Sequence, residues 1–201
     1  MSAPRMYQKK KRARSEAETR QRIVDAAIAM HQSKGNAATI TEIARLADVG
    51  RVTLYRHFPD ELSLLSACTS HYMKEHPLPE VETWAGIEDP LQRLRKGLAD
   101  VFAYHRNNVR MMTAAEHAVA ENPILAQLLE PMTEYWTTAI DRLAAGLIEG
   151  ASSPDYIRST IALAVSLPTW RLLALDQGLS DDACVEMFAT IIACQSTTAG
   201  S

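Results

Sequence analysis

The amino-acid sequence predicts an all-α protein. Apolar residues recur at the three- and four-residue spacing of an amphipathic helix along most of the chain, and the strict alternation of a half-buried strand is absent. Glycine, which is frequent in the turns between short strands, accounts for only 8 of the 201 residues. We therefore expect an N-terminal unit of three helices, a connecting helix and a C-terminal helical bundle, together large enough to bury a core.

Composition and local hydropathy are those of a globular protein. Apolar residues make up 47% of the chain and charged residues 22%. No apolar run approaches the ~20 residues that cross a bilayer, and the charged N-terminus is not followed by the apolar stretch of a secretory signal. Cys68, Cys184 and Cys194 form no CxxC pair, so we expect reduced thiols in a cytoplasmic protein.

The charge is distributed unevenly along the chain. Residues 1–60 hold 12 Lys and Arg against 6 Asp and Glu, whereas residues 61–201 hold 9 against 18. Cations at one end can meet phosphates, while the acidic remainder keeps the rest of the protein away from a polyanion. Although the net charge is −3, this distribution predicts contact with nucleic acid through the N-terminal part.

A basic arm precedes the first predicted helix. Residues 1–15 are polar and show no helical periodicity, which predicts disorder in the free protein. A cationic arm of this kind can follow a phosphate backbone or enter a minor groove. The arm residues expected to contact nucleic acid are Lys9, Lys10, Lys11, Arg12 and Arg14.

Residues 16–60 predict three helices joined by short turns. Gly35 and Asn36 stop the first helix. Thr39 is a candidate N-cap of the second helix, with Glu42 three residues later in the position of a capping box. The predicted helices cover about residues 16–34, 40–47 and 51–57.

The second and third helices have the pattern of a helix-turn-helix. Ala44 and Ala47 are small where the two helices must cross closely, and a three-residue turn separates the helices. Leu54 and Phe58 form an i, i+4 apolar pair that anchors the third helix to the core. The other side of this short helix is then exposed, and a helix of that size fits the major groove of double-stranded DNA.

The exposed residues of the third helix have the chemistry that reads DNA. Arg51 and Arg56 can each donate two hydrogen bonds to guanine, and Val52 can contact a thymine methyl group. Hydroxyl and imidazole groups nearby can donate to phosphate oxygens. The candidates for these further contacts are Thr39, Thr41, Thr53, Tyr55 and His57.

Residues 19–65 resemble the DNA-binding signature of the tetracycline-repressor (TetR) family. The signature is carried by TITEIARLADVGRVTLYRHFPDELSLL, and the preceding TRQRIVDAAIAMHQSKG resembles the family's first helix. The resemblance implies a bacterial transcriptional regulator, most often a repressor, that binds a palindromic operator as a homodimer. It also implies a variable C-terminal pocket in which a small, apolar ligand releases the repressor from DNA.

Four positions depart from the family's pattern. Asp48 stands where the turn usually has Gly, and Asp tolerates the left-handed backbone that such a turn needs. Gly50 replaces a Ser N-cap, at an expected loss of a few tenths of a kcal/mol. Glu61 stands near a common Lys, which removes one expected phosphate contact and lowers the expected affinity. Met30-His31 replaces the usual Leu-Phe of the first helix.

The remainder of the chain predicts a connecting helix and a bundle. The connecting helix covers residues 61–76, a linker covers 76–89, and the C-terminal domain covers 77–201. Pro168 lies inside an otherwise helical pattern and should kink or split its helix. The bundle helices are predicted at about 90–106, 108–121, 123–149, 154–177 and 181–195.

Aromatic, methionine and histidine side chains are concentrated in the C-terminal domain. Such side chains inside a bundle are most often simple core, but a cavity that they line also suits an apolar effector. Trp84 falls in the predicted linker, where it can close the pocket entrance. The pocket candidates are Trp84, Phe102, Tyr104, His105, Met111, Met112, His117, Tyr135, Trp136 and Trp170.

The last two predicted helices are apolar on more than one side. Such a helix must be covered more than once, which favours a four-helix contact between residues 154–177 and 181–195 of two copies. A twofold dimer presents its two recognition helices about one turn of DNA apart, ~34–36 Å. The residues expected at this interface are Ile157, Ile161, Val165, Leu172, Met187, Phe188 and Ile191.

The sequence contains no pattern typical of an active site. We find no Ser-His-Asp spacing, no phosphate-binding glycine loop and no metal motif, so we expect no enzyme, no cofactor and no metal. Two alternatives stay open: a helical DNA-binding or interaction module without an effector, and a helical metal protein or enzyme. A tightly packed C-terminal domain without a cavity would favour the first, and elemental analysis with a turnover screen would test the second.

Overall fold

A computed structural model describes residues 3–149 and 151–197, and every regular element in this part of the chain is helical. The predicted all-α class is confirmed. None of these helices is long and apolar enough to span a membrane. The α-helices are α1 Ala3–Lys34, α2 Ile40–Leu46, α3 Arg51–His57, α4 Glu61–Glu75, α5 Val81–Ala85, α6 Pro90–Val119, α7 Pro123–Leu128, α8 Glu130–Ala144, α9 Pro154–Val165, α10 Leu167–Trp170 and α11 Asp181–Thr197.

The chain divides into two compact units. The N-terminal unit contains the described residues up to Pro77 together with Thr113–Leu128, and the remaining described residues form the C-terminal unit. The predicted C-terminal domain began at residue 77 and included Thr113–Leu128. This segment joins the N-terminal unit because α7 packs on α4, and Asn122 Nδ2 donates to Glu61 Oε1 at 2.6 Å.

The first helix is longer than the sequence predicted. We expected disorder over residues 1–15, whereas α1 begins at Ala3, so the expectation is corrected for residues 3–15. Lys, Arg, Ala, Glu and Gln are strong helix formers, and the stretch between the first turn and Lys34 contains no Gly or Pro. Pairs at i, i+4 add support, since Arg14 Nε lies 2.8 Å from Glu18 Oε1.

The core of the N-terminal unit forms where α1, α2, α3 and α4 meet. Ile23 of α1, Ile43 of α2, Leu54 of α3 and Leu64 of α4 are all buried in one apolar cluster. Burying each such side chain contributes roughly 1.5–3 kcal/mol. α2 and α3 are short, so their stability comes from this shared core rather than from helix propensity.

The core of the C-terminal unit is built around large side chains from α5, α6, α8, α9 and α10. Trp84, Phe102, Leu143, Ile161 and Trp170 are each 0% exposed within one cluster. α5 therefore occupies part of the segment expected to be a linker, because its Trp84 is drawn into the core. The indole nitrogen of Trp84 remains satisfied there, since it donates to Asp100 Oδ2 at 2.9 Å.

Two helix boundaries in the second half differ from the prediction. α6 is one helix where two were expected, and Asn108 inside it donates from Nδ2 to the Tyr104 carbonyl at 2.8 Å, which satisfies the amide without ending the helix. The helix expected over 123–149 is divided between α7 and α8. Pro131, in the first turn of α8, lacks the N–H that would continue the α7 ladder.

The break expected at Pro168 is confirmed. α9 ends at Val165, α10 begins at Leu167 with Pro168 in its first turn, and a π-helical turn follows over Arg171–Asp176. A proline has no N–H to donate to the preceding turn, and its ring excludes the carbonyl four residues earlier. The chain therefore changes direction between α9 and α10.

We expect Gly97→Ala to destabilise the C-terminal unit. A Cβ atom at Gly97 would lie 2.3 Å from Cδ2 of Leu143, a side chain that is fully buried. Overpacking costs about 1–3 kcal/mol, of which the better helix propensity of alanine returns about 1 kcal/mol. Urea unfolding should show a net loss of up to about 2 kcal/mol.

The matched control is Gly86→Ala. A Cβ at Gly86 meets no described atom within 4 Å, and its backbone, with φ −75°, suits alanine. This substitution should leave the free energy of unfolding unchanged or raise it by about 0.4–1 kcal/mol. Equal effects of the two substitutions would contradict the close contact between α6 and α8.

Candidate nucleic-acid interface

The α2 N-terminus forms the predicted capping box. Thr39 Oγ1 accepts from Glu42 N at 3.2 Å, and Glu42 Oε2 accepts from Thr39 N at 3.1 Å. Glu42 also pairs with Lys34 at the end of α1. Hydrogen bonds from Lys34 and then Thr39 lower the pKa of Glu42 to about 2. The carboxylate is thus ionised at neutral pH and ties the start of α2 to the end of α1.

The turn between α2 and α3 has the backbone that its residues favour. Asp48 adopts φ 52°, the left-handed conformation that Asp tolerates better than most residues. Val49 N donates to the Ala44 carbonyl at 3.0 Å, which closes the turn. Gly50 then serves as the N-cap of α3, with φ −75° and ψ 151°. The departure from Gly at position 48 therefore leaves the turn intact.

α3 is buried on one side. Leu54 is 0% and Phe58 is 2% exposed, and the guanidinium of Arg20 lies over the Phe58 ring at 4.8 Å from its centroid. Since seven residues make barely two turns, these two anchors fix the direction of every other side chain on α3.

The opposite side of α3 carries the predicted base-reading residues. Val52 is 85% exposed and Tyr55 50% exposed. We call these residues, Arg51, Val52, Tyr55 and Arg56, the exposed face of α3. An arginine pair flanking an apolar and a phenolic group has the donors and the methyl surface that base edges in a major groove require.

The other candidates in the N-terminal unit differ in accessibility. Thr39 and Thr41 are exposed at the start of α2, whereas Thr53 and His57 are half-buried. The His57 Nε2 atom is shielded from solvent and has no hydrogen-bond partner among the described residues. His57 is therefore less available to a phosphate than its position in the sequence suggested.

The basic residues of the arm are exposed on the first turns of α1. They are distributed around the helix, because successive residues are rotated by about 100°. Arg12 and Arg14 pair with Glu16 and Glu18 one turn later. The exposed cations of the arm are Lys9, Lys10, Lys11, Arg12 and Arg14.

The pocket candidates fall into three groups. Trp84, Phe102 and Trp170 are fully buried core, so Trp84 does not act as a cover over a pocket, as we had expected. His117 is exposed and belongs to the N-terminal unit, which corrects its assignment to the pocket. The remaining candidates are buried or half-buried in the C-terminal unit, namely Tyr104, His105, Met111, Met112, Tyr135 and Trp136.

The rings among these candidates form one cluster around His105. The His105 ring is 0% exposed, and its centroid lies 5.7 Å from that of Trp136 and 5.8 Å from that of Trp170. Tyr104 and Tyr135 complete the cluster, each in contact with Trp136. We call these five side chains the His105 cluster.

His105 is held by the end of α9. Its Nε2 lies 2.9 Å from the carbonyl oxygen of Val165. A carbonyl only accepts, so Nε2 carries the proton and Nδ1 of the neutral ring is an acceptor. Burial lowers the pKa of His105 to about 4. The ring is therefore neutral at pH 7, and Nδ1 has no partner among the described residues.

One ion pair beside this cluster was missed by the sequence analysis. Arg106 donates from Nε and Nη2 to Asp181 at 2.7 and 2.6 Å, and Trp170 Nε1 donates to the same carboxylate at 2.9 Å. The hydrogen bond from Arg106 is the main reason that the pKa of Asp181 is lowered. Arg106 and Asp181 lie 75 positions apart, a separation for which one sequence carries no signal.

Most of the expected dimer-interface residues are used within their own chain. Ile157 and Ile161 are 0% exposed and belong to the core of the C-terminal unit, as do Val165 and Phe188. These four cannot face a second copy, which corrects that part of the expectation. Met187 is half-buried, and Leu172 and Ile191 are exposed. The large apolar residues left exposed on α9, α11 and the π-helical turn are Tyr156, Leu163, Leu172, Leu175 and Ile191.

A metal site finds no support in the described part of the chain. No group of three or more His, Cys, Asp and Glu side chains there is placed to hold a metal ion. Cys68 is buried, and its Sγ lies 3.9 Å from the Val24 carbonyl.

Comparison with known proteins points to one family. Residues 23–68 match the family model described as "Bacterial regulatory proteins, tetR family". Over 70 residues the chain is 41% identical to each of two proteins of Pseudomonas putida, the HTH-type transcriptional regulator SrpR and the uncharacterized HTH-type transcriptional regulator TtgW. Both alignments cover 34% of this chain, and they span 32% of SrpR and 51% of TtgW.

Solved structures share the fold over most of the chain. A TetR-like transcriptional regulator from Rhodococcus sp. RHA1 has a TM-score of 0.59 at 15% identity, covering 87% of this chain and 93% of that one. NalD of Pseudomonas aeruginosa, described as the secondary repressor of the MexAB-OprM multidrug efflux pump, has a TM-score of 0.56 at 17% identity, with coverages of 90% and 96%.

The capped helix-turn-helix and these matches define the class of the N-terminal unit: a helix-turn-helix DNA-binding domain. Residues 23–68 are the part of the chain that matches the tetR family of bacterial regulatory proteins.

Proposed function

We propose that the protein is a sequence-specific repressor that binds a palindromic operator as a homodimer and is released from it by a small ligand. The observation that carries the proposal is the exposed face of α3, whose opposite side is fixed in the core by Leu54 and Phe58. The match to the tetR family over residues 23–68 supports the same role. A regulator of bacterial transcription works in the cytoplasm, where the chromosome lies.

The side chains of the exposed face divide into base and phosphate contacts. Arg51 and Arg56 donate to guanine in the major groove, and Val52 contacts a thymine methyl group. Tyr55, with Thr39 and Thr41 at the start of α2, donates to phosphates. Thr53 and His57 are assigned smaller roles in phosphate contact because both are half-buried.

The helical arm adds sequence-independent affinity. Lys9, Lys10 and Lys11 span about 200° around α1, so roughly two of the three can meet one DNA surface at a time. Arg12 and Arg14 are partly neutralised by their glutamate partners. Glu61, which replaces a common phosphate-binding Lys, accepts from Asn122 instead. The basic arm therefore compensates for the phosphate contact that is lost at position 61 of the N-terminal unit.

The dimer forms through the outer surface of α9, α11 and the π-helical turn. Leu163 is 57% and Ile191 40% exposed. α9 packs beside α11, where Thr160 Oγ1 accepts from Gln195 Nε2 at 3.2 Å. Each of the two helices thus buries one apolar side in the core of its own chain. Its second apolar side is exposed, and contact with another protein surface would cover it. A second copy also accounts for two recognition helices on a palindrome.

Release requires a ligand that binds one conformation of the dimer better than the other. We place its site in the C-terminal unit, where it favours a conformation whose two recognition helices are wrongly spaced for successive major grooves. Thermodynamic linkage is reciprocal, so operator DNA weakens ligand binding by the same factor.

A regulator without an effector is the second candidate. The full burial of Trp84, Phe102 and Trp170 favours it, because a filled core needs no ligand. A C-terminal unit that binds none of a panel of small aromatic and apolar molecules would support this candidate over ligand release.

Selection of bound duplexes from random DNA at fixed salt tests the proposal as a whole. A palindromic consensus with half-sites about 10 base pairs apart is expected from a twofold dimer. Failure to enrich any sequence, or enrichment of a single half-site only, would contradict it.

We expect Arg56→Ala to weaken binding to the selected operator by about 1–3 kcal/mol per half-site and to relax base preference at one position of each half-site. Fluorescence anisotropy with matched and mismatched duplexes measures both effects. Arg22→Ala is the control, because it removes one exposed charge from α1 in the same unit. It should weaken both duplexes equally, and an Arg56→Ala variant that keeps full discrimination would remove Arg56 from the base contacts.

Replacing Lys9, Lys10 and Lys11 by Gln should lower the slope of log K against log salt by about 3.6 for the dimer, since each of its two arms loses about two phosphate contacts and each contact contributes about 0.9. Glutamine retains helix propensity, so circular dichroism should be unchanged. The control replaces the same three residues by Arg and should keep the original slope. An unchanged slope in the Gln variant would show that the arm does not meet phosphate.

The double variant Leu163→Lys, Ile191→Lys should be a monomer with greatly reduced operator affinity. Two charges placed in an apolar contact must be desolvated without partners. Analytical ultracentrifugation reports the mass, and Leu62→Lys is the control, because Leu62 is 48% exposed on α4 and belongs to the N-terminal unit. A double variant that stays dimeric would exclude this surface.

A further inference from the structure

We propose that the His105 cluster binds a neutral aromatic molecule carrying an N–H or O–H donor, and that His105 Nδ1 accepts the hydrogen bond from it. The inference deepens the proposed function, on which it rests for the assumption that the C-terminal unit receives a ligand. It names the chemical class of that ligand and the atom that anchors it.

The unsatisfied acceptor is the first observation. Polar atoms buried in protein interiors are nearly always hydrogen-bonded, yet Nδ1 of His105 has no partner among the described residues while the ring is 0% exposed. The Nε2–H of the same ring is committed to the Val165 carbonyl. The ring therefore cannot exchange its two nitrogens without breaking that bond, and it can only accept at Nδ1.

The rings around His105 are the second observation. Trp136 and Trp170 lie on the His105 ring at 5.7 and 5.8 Å between centroids, both tilted. Tilted and offset contacts are the arrangements that aromatic rings prefer, and a flat aromatic ligand can make the same contacts with these rings. Trp136 is half-buried, whereas Trp170 is fully buried. In this proposal the ligand therefore reaches His105 from the Trp136 side, which is the more exposed side of the cluster.

The charges near the cluster favour a neutral ligand. The Asp181 carboxylate, which interacts electrostatically with His105, opposes an anion. It is already bound by Arg106 and Trp170, and Arg106 also lies over the Trp170 ring at 5.3 Å. Arg106 therefore already occupies both groups that could hold a cationic ligand, the Asp181 carboxylate and the face of the Trp170 ring.

Indole and benzofuran make a matched pair of probes. The two have nearly the same shape, and only indole carries an N–H. We expect indole to bind the full-length protein about tenfold more tightly than benzofuran, the factor that one net hydrogen bond of about 1.4 kcal/mol supplies. Titration followed by the indole N–H resonances of the three tryptophans measures both affinities. Equal affinities, or no binding of either probe, would overturn the proposal.

The histidine nitrogen gives a direct readout. In protein with 15N-labelled histidine, the Nδ1 resonance of His105 should move upfield when indole binds, as an unprotonated nitrogen does on accepting a hydrogen bond. Benzofuran should leave it in place. An unmoved Nδ1 resonance at saturating indole would overturn the assignment of the anchor even if indole binds.

Two substitutions test whether the preference for indole depends on the Nδ1 acceptor of His105 rather than on correct folding of the C-terminal unit. His105→Phe should bind indole and benzofuran equally, and His105→Gln keeps an N–H that can donate to the Val165 carbonyl. His117→Phe, at an exposed position, is the control and should keep the tenfold preference. If either His105 variant fails to fold, the comparison of indole with benzofuran on the unmodified protein still tests the proposed site.

Operator binding is measured separately so that the two proposals fail independently. Preference for indole with an unchanged operator affinity would support the site and contradict ligand release. Operator binding with no preference for indole would overturn the site and leave the DNA-binding role standing.

Discussion

The orientation of α3 depends on the burial of Leu54 and Phe58. A helix of seven residues is too short to be stable alone in water, so α3 forms because these two side chains enter the apolar cluster of the N-terminal unit. Phe58 reaches α1, where Arg20 lies over its ring. Because the anchors occupy one side, Arg51, Val52 and Arg56 are held on the other side, where they can meet DNA.

A different constraint organises the C-terminal unit. Pro168 cannot continue the ladder of α9, and the chain turns between α9 and α10. The turn brings Trp170 into the core and leaves the Val165 carbonyl to accept from His105. Trp170 and the Val165 carbonyl both contact His105 of α6. The His105 cluster and the Arg106–Asp181 ion pair therefore lie next to the break in the helix at Pro168.

Helix periodicity allowed the helix-turn-helix to be predicted closely, including the capping box at Thr39 and the left-handed turn at Asp48. These features depend on residues within a few positions of each other. Predictions that depended on partners far away in the sequence were weaker. Trp84 was interpreted as a linker residue although it is core. Ile157 and Ile161 were assigned to a partner although they pack within their own chain, because an apolar pattern does not say which surface covers it.

The sequence by itself therefore determined the helical class, the helix-turn-helix with its exposed arginines and the break at Pro168, since local backbone preferences and short-range spacing are sufficient for each. Tertiary structure alone decided that Arg106 pairs with Asp181 and that α7 packs on α4. It also decided that His105 Nε2 is hydrogen-bonded to Val165 while Nδ1 has no partner in the described part of the chain. Those contacts join residues many positions apart, and their energies depend on burial, which a single sequence does not record.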